Sequence, residues 1–405
     1  MVVKGPIRFK IHHTSCRRHC CVRVIILTTS ICLLVLGWRS NLRPNVEGEE
    51  KEVRLEPTIY STRKSTMGVT RNNLTTHEST EPEQTKQVKR VAIVIVSSKR
   101  SGSSFLGDIF NHHPSIFYIY EPLFQLSSYY IRRSANLSES NYTALAIARI
   151  NSSLYCSLDD PYADRPSTAA NLCERNALLK KRKLCHSTKK NAVDEWERAC
   201  AKQDVVAVKL IRLQDIADLE PLSHSLDLRV IHLVRDPRPT ERSRKGTGHN
   251  ADLIRRKGKT ALDEADLCEH MQRNFQYSTN PPTWLRGRYL LIRFEDLAQS
   301  PISKTREILN FVGYDVHDDV TQWLRESTSG TQRGGKTVNR YSTNRNSSDV
   351  IDTWRRDMTW TMVENIQKVC EEPIKSLGYV LLHSEAALRN VSIKTTIKLQ
   401  VTAGP

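Results

Sequence analysis

The stretch at residues 91–105, VAIVIVSSKRSGSSF, constrains this chain more than any other. A run of apolar, mostly β-branched residues has the character of a buried strand. Lys99 and Arg100 follow, then the small-residue loop Ser101-Gly102-Ser103-Ser104, and Phe105 opens a helical pattern. A strand that feeds a Gly/Ser loop and then a helix makes an anion cradle. Loop N–H groups and the helix N-terminus converge on one point, and hydroxyls add donors. The pattern G-x-x-x-x-G-K-[ST] is missing, so the ordinary nucleotide P-loop is excluded. A plain Gly/Ser turn is the competing reading of the loop taken alone.

Four further apolar runs resemble the first: residues 116–120, 205–210, 228–234 and 289–294. Near-continuous apolar strands separated by helical stretches predict an α/β fold, a parallel sheet with helices on both faces. Helices are expected over 104–111, 302–311 and 360–377. The first carries Phe105, Leu106, Ile109 and Phe110 on one face and stops before Pro114. Residues 134–200 read as an irregular, glycosylated, disulfide-bearing insertion.

Residues 24–38 are apolar apart from Thr28, Thr29 and Ser30, with Lys4, Arg8, Lys10, Arg17, Arg18 and Arg23 before them and Glu47, Glu49 and Glu50 after. The charge asymmetry predicts a cytosolic tail (1–21), a signal-anchor transmembrane helix (22–39) and a luminal remainder. A cleaved signal peptide is the rival, and Trp38-Arg39 offers it no small-residue cleavage site. Residues 40–89, rich in charge and poor in aromatics, are expected as a disordered stem. The luminal domain is expected over 90–385, followed by a C-terminal tail (386–405).

Sequons at Asn73, Asn136, Asn141, Asn151, Asn346 and Asn390 suit that compartment. So do Cys156, Cys173, Cys185, Cys200, Cys268 and Cys370, an even set whose pairing sequence leaves open. Cys16, Cys20, Cys21 and Cys32 lie in or beside the membrane segment. After residue 40 there is no C-x-x-C pair, which argues against a zinc site. The formal net charge of +17 points to anionic partners. In a lumen without nucleic acid, these are nucleotide-like donors and acidic glycans.

In open parallel sheets, ligands bind beyond the carboxyl ends of strands. Arg235 stands at one such end, before Asp236-Pro237-Arg238, with Ser243 about two turns into the next helix. It reads as a phosphate clamp or as half of a surface ion pair with Asp236. Glu121 stands at another end, as a proton acceptor or as a salt-bridge partner. Lys209 is near a third, as a neighbour of a bound anion or a surface lysine. His232 reads as a satisfied core histidine, and His112 and His113 as a helix cap.

Together these residues resemble the Golgi carbohydrate 6-O-sulfotransferases that act on galactose, N-acetylgalactosamine or N-acetylglucosamine. The likeness runs over 91–379. Arg100-Ser101-Gly102-Ser103-Ser104-Phe105 is similar to the family's 5′-phosphosulfate loop, and residues 117–123, FYIYEPL, to its F-Y-x-x-E-P-L segment. Residues 230–238 with Ser243-Arg244 resemble its 3′-phosphate motif. Residues 288–297, RYLLIRFEDL, resemble its R-Y-x-L-V-R-Y-E-D-L strand, and 341–348 with Trp354-Arg355 its C-terminal segment. The chondroitin 6-O and keratan-sulfate galactose 6-O enzymes look nearest.

The resemblance implies a P-loop-like sulfotransferase fold and a Golgi type II membrane protein. Its donor would be 3′-phosphoadenosine 5′-phosphosulfate (PAPS), with no metal, and its acceptor a glycan or glycosaminoglycan. Lys99, Arg100, Ser101, Gly102, Ser103, Ser104 and Phe105 would hold the phosphosulfate. Arg235, Arg238 and Ser243 would hold the 3′-phosphate. Glu121 and Arg100 are the catalytic candidates, with the adenine near 341–346. The oligomeric state is left open, a homo-oligomer included.

Two positions depart from the family pattern. Glu241, within Pro239-Thr240-Glu241-Arg242, brings a negative charge close to the expected phosphate site, and Lys99 stands where the family has Thr or Trp. Glu241 keeps a non-catalytic glycan- or PAPS-binding relative in view. A luminal kinase is disfavoured, because its lysine belongs after the glycine.

Overall fold

All five apolar runs are strands of one sheet: β1 (Arg90–Ser97), β2 (Ile116–Tyr120), β3 (Val205–Leu210), β4 (Leu226–Val234) and β5 (Tyr289–Arg293). Their order is β2-β3-β1-β4-β5, and every neighbouring pair is parallel. The computed structural model describes residues 89–127, 139–159, 172–185, 192–245, 264–328 and 349–399. The expected anchor, the stem up to residue 88, Asn73, Asn136, Asn346 and the segment 341–348 lie outside the described residues. Among the described residues no helix is long and apolar enough to cross a membrane. The chain divides into Met1–Pro82 and Glu83–Pro405, and the described residues belong to the second unit.

Parallel neighbours require crossovers, and helices supply them. In chain order these are α1 (Ser103–Asn111), α2 (Glu139–Leu154), α3 (Ala177–Lys181), α4 (Ala192–Ala201), α5 (Pro237–Lys245) and α6 (Glu264–Thr279). Then come α7 (Phe294–Gln299), α8 (Pro301–Phe311), α9 (Asp318–Thr328), α10 (Asp349–Asp357), α11 (Trp360–Val369), α12 (Glu371–Ser376) and α13 (Glu385–Arg389). The period-2 geometry of a strand splits β1 between two cores. Ala92, Val94 and Val96 pack with α2 and α4 through Ala146, Ile150 and Trp196. Ile93 and Ile95 pack on the other face with Leu106 and Ile109 of α1, Ile231 of β4, and Ile308 and Leu309 of α8. A third cluster joins Val234 to Leu267, Met271, Trp354, Val363 and Ile374 beside the sheet.

Three expectations need correction. Residues 134–200 are not irregular: α2 and α3 lie within them, and α4 begins there. The helix expected over 360–377 is two helices meeting at Cys370. Pro373 has no N–H, and its ring would collide with the Val369 carbonyl in a continuous helix. The segment expected as a tail from residue 386 packs on the domain. It carries α13 and pairs Thr396 with Tyr379.

Six cysteines form three disulfides: Cys156–Cys200, Cys173–Cys185 and Cys268–Cys370. The first two staple the 156–200 region, in keeping with its crowded cysteines.

Arg355, buried at 1% exposure, holds the C-terminal segment. It donates to the carbonyls of Leu388 (3.0 Å), Ile393 (2.8 Å), Ala387 (2.8 Å) and Asn390 (2.5 Å). A lysine has no planar fork with which to repeat these bonds. We expect Arg355→Lys to lower the free energy of unfolding by about 3 kcal/mol, the scale of losing bonds to a charged donor. Urea unfolding followed by circular dichroism checks this, and an unchanged midpoint would show that residues 385–393 are held by other contacts.

Candidate functional site

Each strand ends on a residue of interest, and the sheet brings these ends together. Beyond β1 lies the cradle. Gly102 caps α1 in a left-handed conformation, φ 86°. A Cβ there would lie 2.2 Å from Cδ2 of Phe294, so both its conformation and its surroundings require glycine. Ser101 is buried, with its hydroxyl 2.7 Å from that of Ser98. The N–H groups of Gly102, Ser103 and Ser104 donate to nothing among the described residues. They are the open donors of a helix N-terminus. Phe105 is a correction. Its N–H donates to the Gly102 carbonyl at 3.0 Å and its ring packs in the core, so it contributes no donor to the cradle.

Beyond β4 lies Arg235. Its Nη1 donates to the Arg100 carbonyl at 3.2 Å, and its guanidinium carbon stands 4.5 Å over the Phe294 ring. Its Nε is buried and makes no hydrogen bond, and the residue forms no ion pair among the described residues. Burial pulls its pKa down, against the opposing pull of Glu295 and Asp236. Arg100 Nε in turn donates to Ser243 Oγ at 2.9 Å. The two motifs, over 130 residues apart in the chain, therefore form one site with Arg100 as the joint.

Arg238 is a second correction. It is fully buried, with Nε and Nη2 on Asp236 (2.6–3.1 Å) and Nη1 on Gln367 (2.8 Å) and the Val380 carbonyl (2.9 Å). It braces the turn after β4 from inside and presents nothing to a ligand. The ion pair foreseen between Arg235 and Asp236 belongs to Arg238 instead. Glu241 is neutralised by Arg244, 2.7 Å away and equally buried. Arg242 turns outward to Asp357. The departure at 239–242 thus adds no unpaired charge to the site.

Beyond β2 and β3 stand Glu121 and Lys209. Glu121 receives Lys209 Nζ on Oε1 (2.7 Å) and Arg212 Nη1 on Oε2 (2.5 Å). Burial works against its charge, but the two cations outweigh burial and hold its carboxyl at about 2. Lys209 is not a surface residue: it is 1% exposed and reaches Ser104 Oγ at 3.4 Å. Burial, and Arg212 after it, lower Lys99 to about 8. His232 is a satisfied core histidine, with Nδ1 2.8 Å from the Tyr289 hydroxyl; burial holds it neutral, down to about 3. His112 closes α1 on the Asp108 carbonyl at 2.8 Å and stacks on Trp323.

Sequence reasoning missed Phe294 and Glu295, which follow β5. Glu295 is buried beneath the β4 turn. Oε1 accepts from the Asp236 N–H at 3.1 Å and Oε2 from the Tyr379 hydroxyl at 2.9 Å. Burial, then Asp236, push its carboxyl up to about 7. The signal for it was a carboxylate at a strand end, the same signal that pointed to Glu121.

The family profile described as "Sulfotransferase domain" matches residues 90–378. The chain is 30% identical over 351 residues to carbohydrate sulfotransferase 1 of Homo sapiens, covering 75% of this chain and 83% of that protein. It is 29% identical over 335 residues to carbohydrate sulfotransferase 3 of Mus musculus, covering 74% and 70%. It is 30% identical over 354 residues to carbohydrate sulfotransferase 5 of Homo sapiens, covering 78% and 83%.

The raised Glu295 carboxyl makes a signed prediction. Folded protein keeps a proton that the unfolded chain releases near 4.5, so this group's contribution is complete below 4.5 and lost as pH rises through about 7. The span corresponds to about 3 kcal/mol. Glu295→Gln retains the shape without the titration. Its melting temperature, relative to wild type, should climb from about pH 5 to about pH 8, the window that brackets the shift from 4.5 to about 7. A flat difference would mean that Glu295 stays charged in the fold.

Proposed function

Since the chain belongs to the sulfotransferase family, we propose that it moves sulfate from PAPS to the 6-hydroxyl of a galactose, N-acetylgalactosamine or N-acetylglucosamine residue in a glycan, with chondroitin or keratan sulfate favoured. The observation that carries this reading is Arg235, a guanidinium with a buried, unpartnered Nε and no carboxylate in ion-pair contact among the described residues. An uncompensated charge in such a place costs several kcal/mol. A phosphate beside it removes that cost. The three open N–H groups of Gly102, Ser103 and Ser104 supply a second anion site next door, and Arg100 touches both. Two adjacent anion sites suit a donor phosphorylated at both the 3′ and 5′ positions. The sequence relatives, by name, act on carbohydrate.

In the transfer, the sugar oxygen bonds to sulfur as the bond from sulfur to the phosphate oxygen breaks, and negative charge grows on that leaving oxygen. Arg100, Lys99 and the cradle N–H groups are preorganised to receive it. Ser101 shapes the loop through Ser98. Ser243, bonded to Arg100, lines the 3′-phosphate side with Arg235. Glu121 stands on the acceptor side. A carboxylate held at about 2 is a weak base. Its role here is to orient the hydroxyl and to take the proton late, once bonding to sulfur has made that oxygen acidic. Lys209, shared between Glu121 and Ser104, couples the acceptor side to the donor loop.

We further propose a single-pass type II protein of the Golgi membrane, with tail 1–21, anchor 22–39, stem 40–89 and a luminal domain from 90. Support comes from the basic flank before the apolar run and from the disulfides, which suit an oxidising lumen. The pairing of Glu241 with Arg244 removes the feature that had favoured a non-catalytic binding relative.

The test is sulfate transfer from labelled PAPS by the full-length protein onto desulfated chondroitin, desulfated keratan sulfate and an N-acetylglucosamine-terminated oligosaccharide, with the product position mapped. We expect label at C6 of one of them. Arg235→Ala and Arg100→Ala should each lower transfer by about a hundredfold or more, the scale of losing one preorganised charge-stabilising group. Activity within a few-fold of wild type would remove both residues from the donor site.

A further inference from the structure

Phe124 follows Glu121 by three residues and is 41% exposed, while its neighbours Leu123 and Leu126 are buried. A single exposed ring is ordinary. This one is distinguished by what stands on it. The guanidinium carbon of Arg212 lies 4.9 Å from the centre of the ring. Arg212 is also the arginine that donates through Nη1 to Glu121 Oε2 at 2.5 Å. Its side chain is 21% exposed, and its Nε and Nη2 make no hydrogen bond among the described residues. A continuous line therefore runs outward from the cradle: Ser104 Oγ to Lys209 Nζ (3.4 Å), Lys209 to Glu121 (2.7 Å), Glu121 to Arg212 (2.5 Å), and Arg212 onto Phe124.

We propose that Phe124 and Arg212 form the platform for the acceptor, and that the acceptor is an anionic glycan. This rests on the reading of a carbohydrate sulfotransferase given above. A pyranose presents an apolar C–H face that suits an aromatic ring, and the ring orders it at little entropic cost. A carboxylate on the same or the adjoining sugar meets the unused Nε/Nη2 edge of Arg212 in bidentate fashion. Burial and the nearness of Arg212 already depress Lys99, so a negative group bound between them relieves their mutual repulsion. A neutral acceptor does not. The placement at the carboxyl ends of β2 and β3 puts the platform on the Glu121 side, opposite the Arg235 side of the donor site.

The experiment compares full-length wild type with Phe124→Ala and Phe124→Trp on two acceptors, desulfated chondroitin, which carries uronate, and desulfated keratan, which is neutral. Wild type should show the lower KM on chondroitin. Phe124→Ala should raise the acceptor KM by about tenfold, equivalent to about 1.4 kcal/mol of lost contact. The KM for PAPS should not move, and Phe124→Trp should restore the acceptor KM. Direct titration of a chondroitin hexasaccharide into protein loaded with the desulfated donor product gives a readout independent of turnover. Binding by wild type and a tenfold loss in Phe124→Ala would support the platform even if no transfer were seen, in which case only the catalytic reading falls. An unchanged acceptor KM or glycan affinity in Phe124→Ala would overturn the platform. Equal KM for the two wild-type acceptors would overturn its preference for an anion.

Discussion

The ring of Phe294 is the contact on which the site depends. On one side it lies so close to Gly102 that a β-carbon there would sit 2.2 Å away; on the other, Arg235 stands 4.5 Å over it. The first contact fixes where α1 begins and therefore where its open N–H groups converge. The second fixes the height of the guanidinium above the β4 turn. One aromatic side chain at the end of β5 thus sets the spacing between the two groups, from β1 and β4, that are proposed to hold anions. The parallel order β2-β3-β1-β4-β5 makes this possible, because it places the ends of β1 and β4 side by side with β5 on the far side of β4.

Charge is distributed by the same logic. Asp236 is committed to Arg238, Glu241 to Arg244, and Glu121 to Lys209 and Arg212. Glu295, the remaining buried carboxylate near Arg235, is pushed toward neutrality by burial and by Asp236 and is occupied by the Asp236 N–H and the Tyr379 hydroxyl. The carboxylates close enough to cancel Arg235 are therefore spent or suppressed. Such an arrangement is costly by itself, and the phosphate proposed for this site would offset the cost. It suits the phosphate site proposed for Arg235 better than a stabilising ion pair.

The parts of this structure that were legible in the sequence were those with a local cause. Runs of β-branched residues declared the strands, and the Gly/Ser loop after Lys99 and Arg100 declared the cradle. What escaped depended on partners far along the chain. Arg238 and Arg235 look alike in sequence, and only the packing of Gln367, Val380 and Trp354 shows that one points inward. The family resemblance groups Phe105 with the loop; the bond of its N–H to the Gly102 carbonyl removes that donor. The residues of α2 carry two sequons and a weak apolar pattern. Its helix is held by tertiary contacts of Ala146, Ile150 and Leu154 that no local pattern announces.

Backbone strain separates the functional positions from the structural ones. Four described residues other than glycine have positive φ: Arg100 (75°), Glu121 (47°), Cys156 (63°) and Lys183 (56°). The last two have a simple cause. They follow α2 and α3, and the N–H groups after them, Ser157 to the Ser152 carbonyl and Leu184 to that of Leu179, close helix ends in the usual left-handed manner. Arg100 and Glu121 follow strands, so no helix end accounts for them. Each costs of order 1 kcal/mol or more. Glycine would remove that cost, but it would also remove the guanidinium that joins Ser243 to the cradle and the carboxylate that joins Lys209 to Arg212. The chain tolerates strain at the two turns where a charged side chain has to leave a strand end sharply, one on the proposed donor side and one on the proposed acceptor side. That coincidence ties both residues to the transfer site more closely than either motif does alone.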